Sequence, residues 1–221
     1  MIPLFPFGYA TESVDDVSRT YGNPCTGCQW RMPDSAAMGQ EHMDALLART
    51  ARGERVKYLP FWGHRPRPDG SLGESCLSQW WPSPFTVDSV TYASAEHWMM
   101  AGKARLFGDA QAQAEAVAAR TPAAAKKVGR LVRGFDDEVW TRERFGLVVA
   151  GSVHKFGQDP ALRAYLLGTG ERVIVEASPV DRIWGIGLAK DDPRTADPAS
   201  WRGLNLLGFA LMEARALLRA E

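Results

Sequence analysis

Net charge is the first thing this sequence lacks: Lys+Arg and Asp+Glu stand at 26 each over 221 residues. A chain without excess positive charge is not expected to hold long nucleic acid regardless of sequence. A local basic pocket is still compatible with that balance, because net charge says nothing about distribution. No apolar run reaches the roughly 18 residues that suggest a membrane helix. The opening segment, from Met1 to Gly8, has neither a basic start nor a long apolar stretch, so no secretory signal is expected. Cysteine is scarce and odd in number, three in all, which argues against a disulfide framework and for the cytoplasm. Cys25 and Cys28 have a metal-type spacing. A closed zinc site takes about four ligands, and only Cys76 and four histidines remain to complete one, His42 being the nearest. A loop with two free thiols is the reading adopted, with no metal. No Gly-rich loop opens a helix after a strand, so the dinucleotide and nucleoside-triphosphate fingerprints are absent.

What is present is an ordinary globular balance, 45% hydrophobic and 24% charged, enough for a sizeable core in one domain with additions. The eight tryptophans are many for this length. Several neighbour Gly, Pro or charge, as in Trp62-Gly63, Trp81-Pro82, Trp184-Gly185 and Trp201-Arg202. They read either as core filling or as flat walls for a planar ligand.

Along the chain, residues 1–52 read as an N-terminal extension, irregular until a short helical pattern over 40–52. Residues 53–221 read as the main domain. Lys57 to Trp62 looks like a strand that Pro60 confines to an edge. A Gly/Pro-rich loop follows over 63–76, a mobile connection or lid. Phe85-Thr-Val and Val90-Thr-Tyr flank Asp88-Ser89 as a hairpin. Helices are expected over 95–106, 109–120, from Thr121-Pro122, over 136–156, from Asp159-Pro160 to Gly168 or Gly170, and over 204–218. Arg172 to Ala177 is a strand. Strands and helices do not alternate, which excludes a doubly wound sheet and leaves a mainly helical α+β fold with a few short strands.

Three segments carry the chemistry. In Tyr92–Ala104, Ser94 is an N-cap candidate with His97 three residues on. Glu96, Met99, Met100 and Lys103 fall on one helical face, with the acid and the amine about 10 Å apart along the axis. That is too far for a tight ion pair and suits a ligand held from two sides. The alternative is a solvated face beside core methionines. In Val175–Gly187, a strand runs into a Pro turn where Trp184 stands between Asp181 and glycines that permit close backbone approach. The plainer reading has Asp181 capping the turn. In Trp201–Arg215, Asn205 is either an N-cap or a donor to a ligand, and Gly208 within the helix suggests close packing or close ligand approach.

These segments, with Phe61-Trp62-Gly63, Leu77-Ser78, Pro84-Phe85, Phe107-Gly108-Asp109 and Lys155-Phe156, follow the order and spacing of the NADAR/YbiA-like N-glycosidase family over about residues 57–219. The resemblance is carried by the joint occurrence of Tyr-x-Ser-x-Glu-His, Asp-x-x-Trp-Gly-x-Gly and Asn-x-Leu-Gly-x-x-Leu-Met. Where the family often shows Leu-Ser-Asn-Phe, this chain has Leu77-Ser78-Gln79-Trp80. The resemblance implies a compact, mainly helical α+β fold. It also implies hydrolysis of a ribose–nitrogen bond without metal or cofactor. The implied substrate is either ADP-ribosylated guanine in nucleic acid or a riboflavin-pathway aminopyrimidine ribosyl phosphate.

By the same resemblance Glu96, Lys103 and Asp181 are the catalytic candidates. Trp62, Ser78, Tyr92, His97, Trp184, Gly185 and Asn205 are the substrate-binding ones. Glu96 and Asp181 supply charge stabilisation and the proton or water step in either order, and Lys103 either holds a phosphate or forms an imine with the opened sugar. Arg65, Arg67, Arg105, Lys126, Lys127, Arg130 and Arg133 form a rim for nucleic acid if they cluster. The competing classes are a non-catalytic ADP-ribose or nucleotide sensor and a purely structural helical protein.

Overall fold

The computed structural model describes residues 35–221; Cys25 and Cys28 lie outside the described residues. The first helix among the described residues, α1 (Ser35–Ala51), begins earlier than the short pattern over 40–52 suggests. Strand β1 (Tyr58–Phe61) is followed by a 3-10 turn over Glu74–Leu77 and by the hairpin β2 (Phe85–Val87) and β3 (Val90–Tyr92). Asp88 and Ser89 both adopt positive φ, 50° and 63°, as a two-residue turn between twisted strands requires. Then come α2 (Ala95–Leu106), α3 (Ala110–Ala118), α4 (Pro122–Gly129), α5 (Asp137–Gln158), α6 (Pro160–Gly168), β4 (Val173–Glu176) and α7 (Leu206–Ala220).

The starts of these helices follow from their caps. Asp109, Thr121, Asp136 and Asp159 each accept a backbone N–H from the first turn they precede, at 3.2, 3.1, 2.9 and 2.8 Å. Ser94 sits at the N-cap of α2 without capping it; its Oγ instead lies 2.8 Å from His97 Nδ1.

Helix α5 is the centre of the packing, with α1, α2, α6 and α7 against it. Phe145, Val148, Val149, Val153 and Phe156 of α5 are buried at helical spacing. The sheets among the described residues have two strands each. β1 pairs with β4 in parallel, Phe61 opposite Glu176, and α7 covers β4. Pro60 is tolerated because β1 is an edge strand, as the sequence suggests. Leu46 of α1 joins the same core, and His42 stacks on Phe209 at 5.2 Å and meets Glu213 at 2.9 Å. Part of the segment set apart as an extension is thus packed into the body of the protein.

The 63–76 loop is tied down at its far end. Glu74 binds Lys190 at 2.5 Å and Arg67 at 3.4 Å, and Ser75 Oγ donates to Arg65 O at 2.6 Å. Beneath it, the buried Lys155 of α5 donates to Cys76 O at 2.6 Å and Ser78 O at 2.8 Å. Burial pulls the Lys155 ammonium down to about 7, and these two carbonyls are its compensation. Among the described residues no helix is long and apolar enough to cross a membrane.

Candidate active site

Three chain segments converge on a group of carboxylates. The first is the N-terminus of α2, which carries Glu96. Its backbone N–H donates to Gln79 O at 3.0 Å, so the Ser78–Trp80 loop is docked on the start of this helix. Ser78 Oγ in turn accepts the Trp80 N–H at 3.1 Å, which sets the indole against the Glu96 carboxylate. Glu96 is only 2% exposed, and its Oε1 is sealed from solvent with no hydrogen-bond partner. Burial pushes its carboxyl up to about 7; Lys126 and the Trp80 indole oppose the shift, and the charge of Asp181 adds to it.

The second segment is the end of β4. Glu176 is partly buried, and its Oε2 is sealed and unpartnered. Its backbone is held on all sides: the N–H donates to Asn205 Oδ1 at 3.0 Å, and the carbonyl accepts Ser178 N–H and Ile186 N–H, both at 2.9 Å. Gly185 belongs to this clamp, since a Cβ there would stand 2.8 Å from Glu176 O. Burial, then the charges of Asp181 and Glu96, push the Glu176 carboxyl up to about 8, with Lys126 opposing.

The third is the turn after β4. Asp181 Oδ1 accepts the N–H groups of Ile183 at 2.9 Å and Trp184 at 2.8 Å. The capping role read from the sequence is therefore present, and it occupies one carboxyl oxygen. Trp184 is half-buried beside it.

Positive charge comes from two flanks. Lys126 and Arg130 at the end of α4 act on Glu96, and Lys126 also acts on Glu176. On the other flank, Arg144 feels Asp181 and Asp137, and Lys103 feels Asp137. Lys103 Nζ sits 4.0 Å from the Phe135 ring centroid and 5.3 Å from that of Trp140. Burial lowers the pKa of both Lys103 and Arg144. Arg144 Nε is buried without a partner.

The other residues singled out from the sequence fall in different places. Trp62 follows β1 and is 59% exposed, one residue past the strand pair that ends at Glu176. Asn205 is fully buried. Its Nδ2 donates to Ile174 O at 2.9 Å and its Oδ1 accepts from Glu176, so it secures the strand that carries the acid. Tyr92 lies in an aromatic cluster, 5.8 Å from Phe85 and 5.1 Å from Trp98. His97 has both ring nitrogens occupied, by Ser94 Oγ at 2.8 Å and Ala119 O at 3.1 Å. Of the seven basic residues considered as one rim, Arg67 pairs with Glu74 and Arg133 with Asp109, while Arg105 lies over Trp98. Of the seven, Lys126 and Arg130 act on Glu96.

Sequence reading missed Glu176 and Trp80 as members of this group, and Arg144 with them. One signal for Glu176 was available: an acid closing an otherwise apolar strand, Val173-Ile-Val-Glu, just before a Pro turn.

The two glutamates make a stability prediction with a definite sign. Both carboxyls are raised above the ordinary value of 4.5, so the folded protein keeps protons that the unfolded chain releases. Their contribution is complete at pH below about 4.5, falls as pH rises through about 7 and 8, and is then level. Glu176→Gln removes one of these titrations. Its melting temperature relative to wild type is expected to be higher near pH 9 than near pH 5; a difference independent of pH would contradict the assignment.

A mainly helical α+β domain that gathers three carboxylates at a helix start, a strand end and a turn, with cations on two flanks, has the acids and charges that a hydrolytic site uses. The chain belongs to the NADAR domain family, whose model matches residues 60–219. It is 39% identical over 167 residues to N-glycosidase R617 of Acanthamoeba polyphaga mimivirus, covering 73% of this chain and 96% of that protein. It is 30% identical over 138 residues to N-glycosidase YbiA of Escherichia coli, covering 62% and 78% respectively. The NMR structure of E. coli YbiA superposes with a TM-score of 0.59 at 26% identity, over 75% of this chain and 86% of that one. A shorter share, 20%, of the chloroplastic riboflavin biosynthesis protein PYRR of Zea mays matches at 32% identity, over 58% of this chain. The expected fold class and the expected hydrolase of the N-glycosidase type agree with these relatives.

Proposed function

We propose that this protein hydrolyses the bond between a ribose carbon and an amine nitrogen of a base. The substrate is an aminopyrimidine ribosyl phosphate of the riboflavin-pathway type or ADP-ribosylated guanine in nucleic acid. The observation that carries the reading is the sealed, unpartnered Oε1 of Glu96, on a carboxyl that feels the charges of Asp181 and Lys126. A buried carboxyl oxygen without a partner is costly in a folded protein unless a ligand completes it.

Cleavage of a ribosyl–nitrogen bond develops positive charge at the sugar carbon. Glu96 meets the ribose hydroxyls and that charge, with the Trp80 indole steadying its carboxylate. Asp181, its Oδ1 occupied by the turn, offers Oδ2 to the attacking water. Trp184 walls the sugar or base. Lys103 and Arg144, gathered by Asp137, take the substrate phosphate as point charge and fork. The small ribosyl phosphate is the better supported substrate. It needs only these two flanks, whereas the arginines that would widen a basic rim at Arg67 and Arg133 are held by carboxylates.

The test is a paired turnover assay. Purified protein meets an aminopyrimidine ribosyl phosphate and a guanine-ADP-ribosylated oligonucleotide, with sugar release followed by mass spectrometry. Release from the small substrate is the expected result. Release from the oligonucleotide alone would move the substrate class. Tight binding of ADP-ribose with no release from either would make the protein a sensor.

A further inference from the structure

We propose that Glu176 is the proton donor to the departing nitrogen. The inference rests on the ribosyl–nitrogen hydrolysis above and adds to it a residue and a division of labour among the three carboxylates.

The placement argues for it. The backbone of Glu176 is fixed by Asn205 Oδ1 and by the N–H groups of Ser178 and Ile186, so its side chain leaves the strand end in one direction. Asn205 in turn is fully buried and anchored on Ile174 O. Oε2 is sealed from solvent without a partner. The charged groups that act on the carboxyl are Asp181 and Glu96, which repel its negative form, and Lys126, which favours it. Burial first, and then two carboxylates against one lysine, favour the neutral form of this acid, and its carboxyl is pushed up to about 8 against about 7 for Glu96. A neutral carboxyl is the form that donates a proton. Asp181 differs in this respect, because two N–H groups already point at its Oδ1, an arrangement made for an acceptor.

The bond from the ribose carbon to nitrogen breaks with its electron pair going to nitrogen. The Glu176 proton joins that nitrogen and the amine leaves neutral. Water adds its oxygen to the ribose carbon, and its proton passes through Asp181 back to the Glu176 carboxylate. One water is consumed, and the products are the free amine and the sugar hydroxyl.

The experiment is a leaving-group series: ribosyl 5-phosphates of substituted aminopyrimidines that differ in the basicity of the departing amine, compared for wild type and Glu176→Gln. The variant is expected to lose about 10²-fold in kcat on the most basic amine. That deficit is expected to shrink steadily as the amine becomes a better leaving group, and the alkaline limb of the wild-type pH–rate profile is expected to vanish. An equal deficit across the series, with the pH profile unchanged, would overturn the assignment and leave Glu176 a positioning residue. If Glu176→Gln melts well below wild type, Glu176→Asp takes its place. It keeps an acid, and its rate is expected to depend on the amine less steeply than that of a variant without one; steep dependence would count against the proposal. A wild type that cleaves no member of the series, nor the oligonucleotide, would sink the underlying hydrolase reading instead.

Discussion

Glu96→Gln is expected to lower kcat by about 10³-fold while leaving the protein folded. The size follows from the environment. A carboxylate that stabilises charge in a sealed site is worth far more than one in water, and the amide that replaces it has no full charge to offer. Folding is expected to survive for three reasons. Gln has the same length and nearly the same volume, the Trp80 indole still finds an oxygen to donate to, and the variant no longer buries an ionisable group whose titration is shifted upward. The measurements are turnover by mass spectrometry and a thermal melt of the same sample. Turnover within about tenfold of wild type would remove Glu96 from the chemistry, since no charge-stabilising group is that dispensable.

Gly208→Ala is expected to reverse the usual helix preference. In an ordinary helix interior the change gains about 1 kcal/mol. Here the new Cβ would stand 2.1 Å from Ile174 O and 2.5 Å from Asn205 Nδ2. The first of these is backbone of β4, covered by α7, and cannot give way cheaply. Relieving the clash pushes Asn205 off the strand, and its two hydrogen bonds go with it. Overpacking of this kind costs about 1–3 kcal/mol, and each buried polar group left unpaired adds about the same. A total near 4 kcal/mol corresponds to a fall of about 10 °C in Tm for a chain of this size. Calorimetry or a dye melt reads it directly. A stabilised Gly208→Ala would mean that the close approach of α7 to β4 is not real. Because Asn205 also holds the Glu176 backbone, the fraction that remains folded is expected to turn over more slowly as well.

The elements were largely legible because each carries its own local signal. Asp109, Thr121, Asp136 and Asp159 announce helix starts, and the Asp88-Ser89 turn announces the hairpin. Glu96 and Asp181, which the fold brings within reach of each other's charge, were singled out by the motifs that contain them. What the sequence hid is what tertiary contact creates. Glu176 reads as one more strand residue until Gly185 and Asn205 fold over it, and Lys126 reads as surface charge until α4 is laid beside α2. The motif that carries Glu96 also carries residues that the fold turns elsewhere. Successive helical side chains are turned by about 100° from one another, so His97 points toward Ala119 rather than the acids. Tyr92 precedes the helix and falls into the Phe85–Trp98 cluster. Asn205 was read as a cap or a ligand donor. It stands at the N-cap position with φ of 54° and makes no cap bond, because its amide is committed to β4.

That amide has a consequence for how the molecule behaves in company. A two-stranded parallel sheet leaves rows of unpaired peptide groups, which invite strands from other chains. On the far side of β4 the carbonyl of Ile174 and the N–H of Glu176 are both taken by the one side chain of Asn205, and α7 stands over the remainder. A single carboxamide therefore plays the part of a neighbouring strand, and it takes two of the peptide groups on which another chain would otherwise assemble.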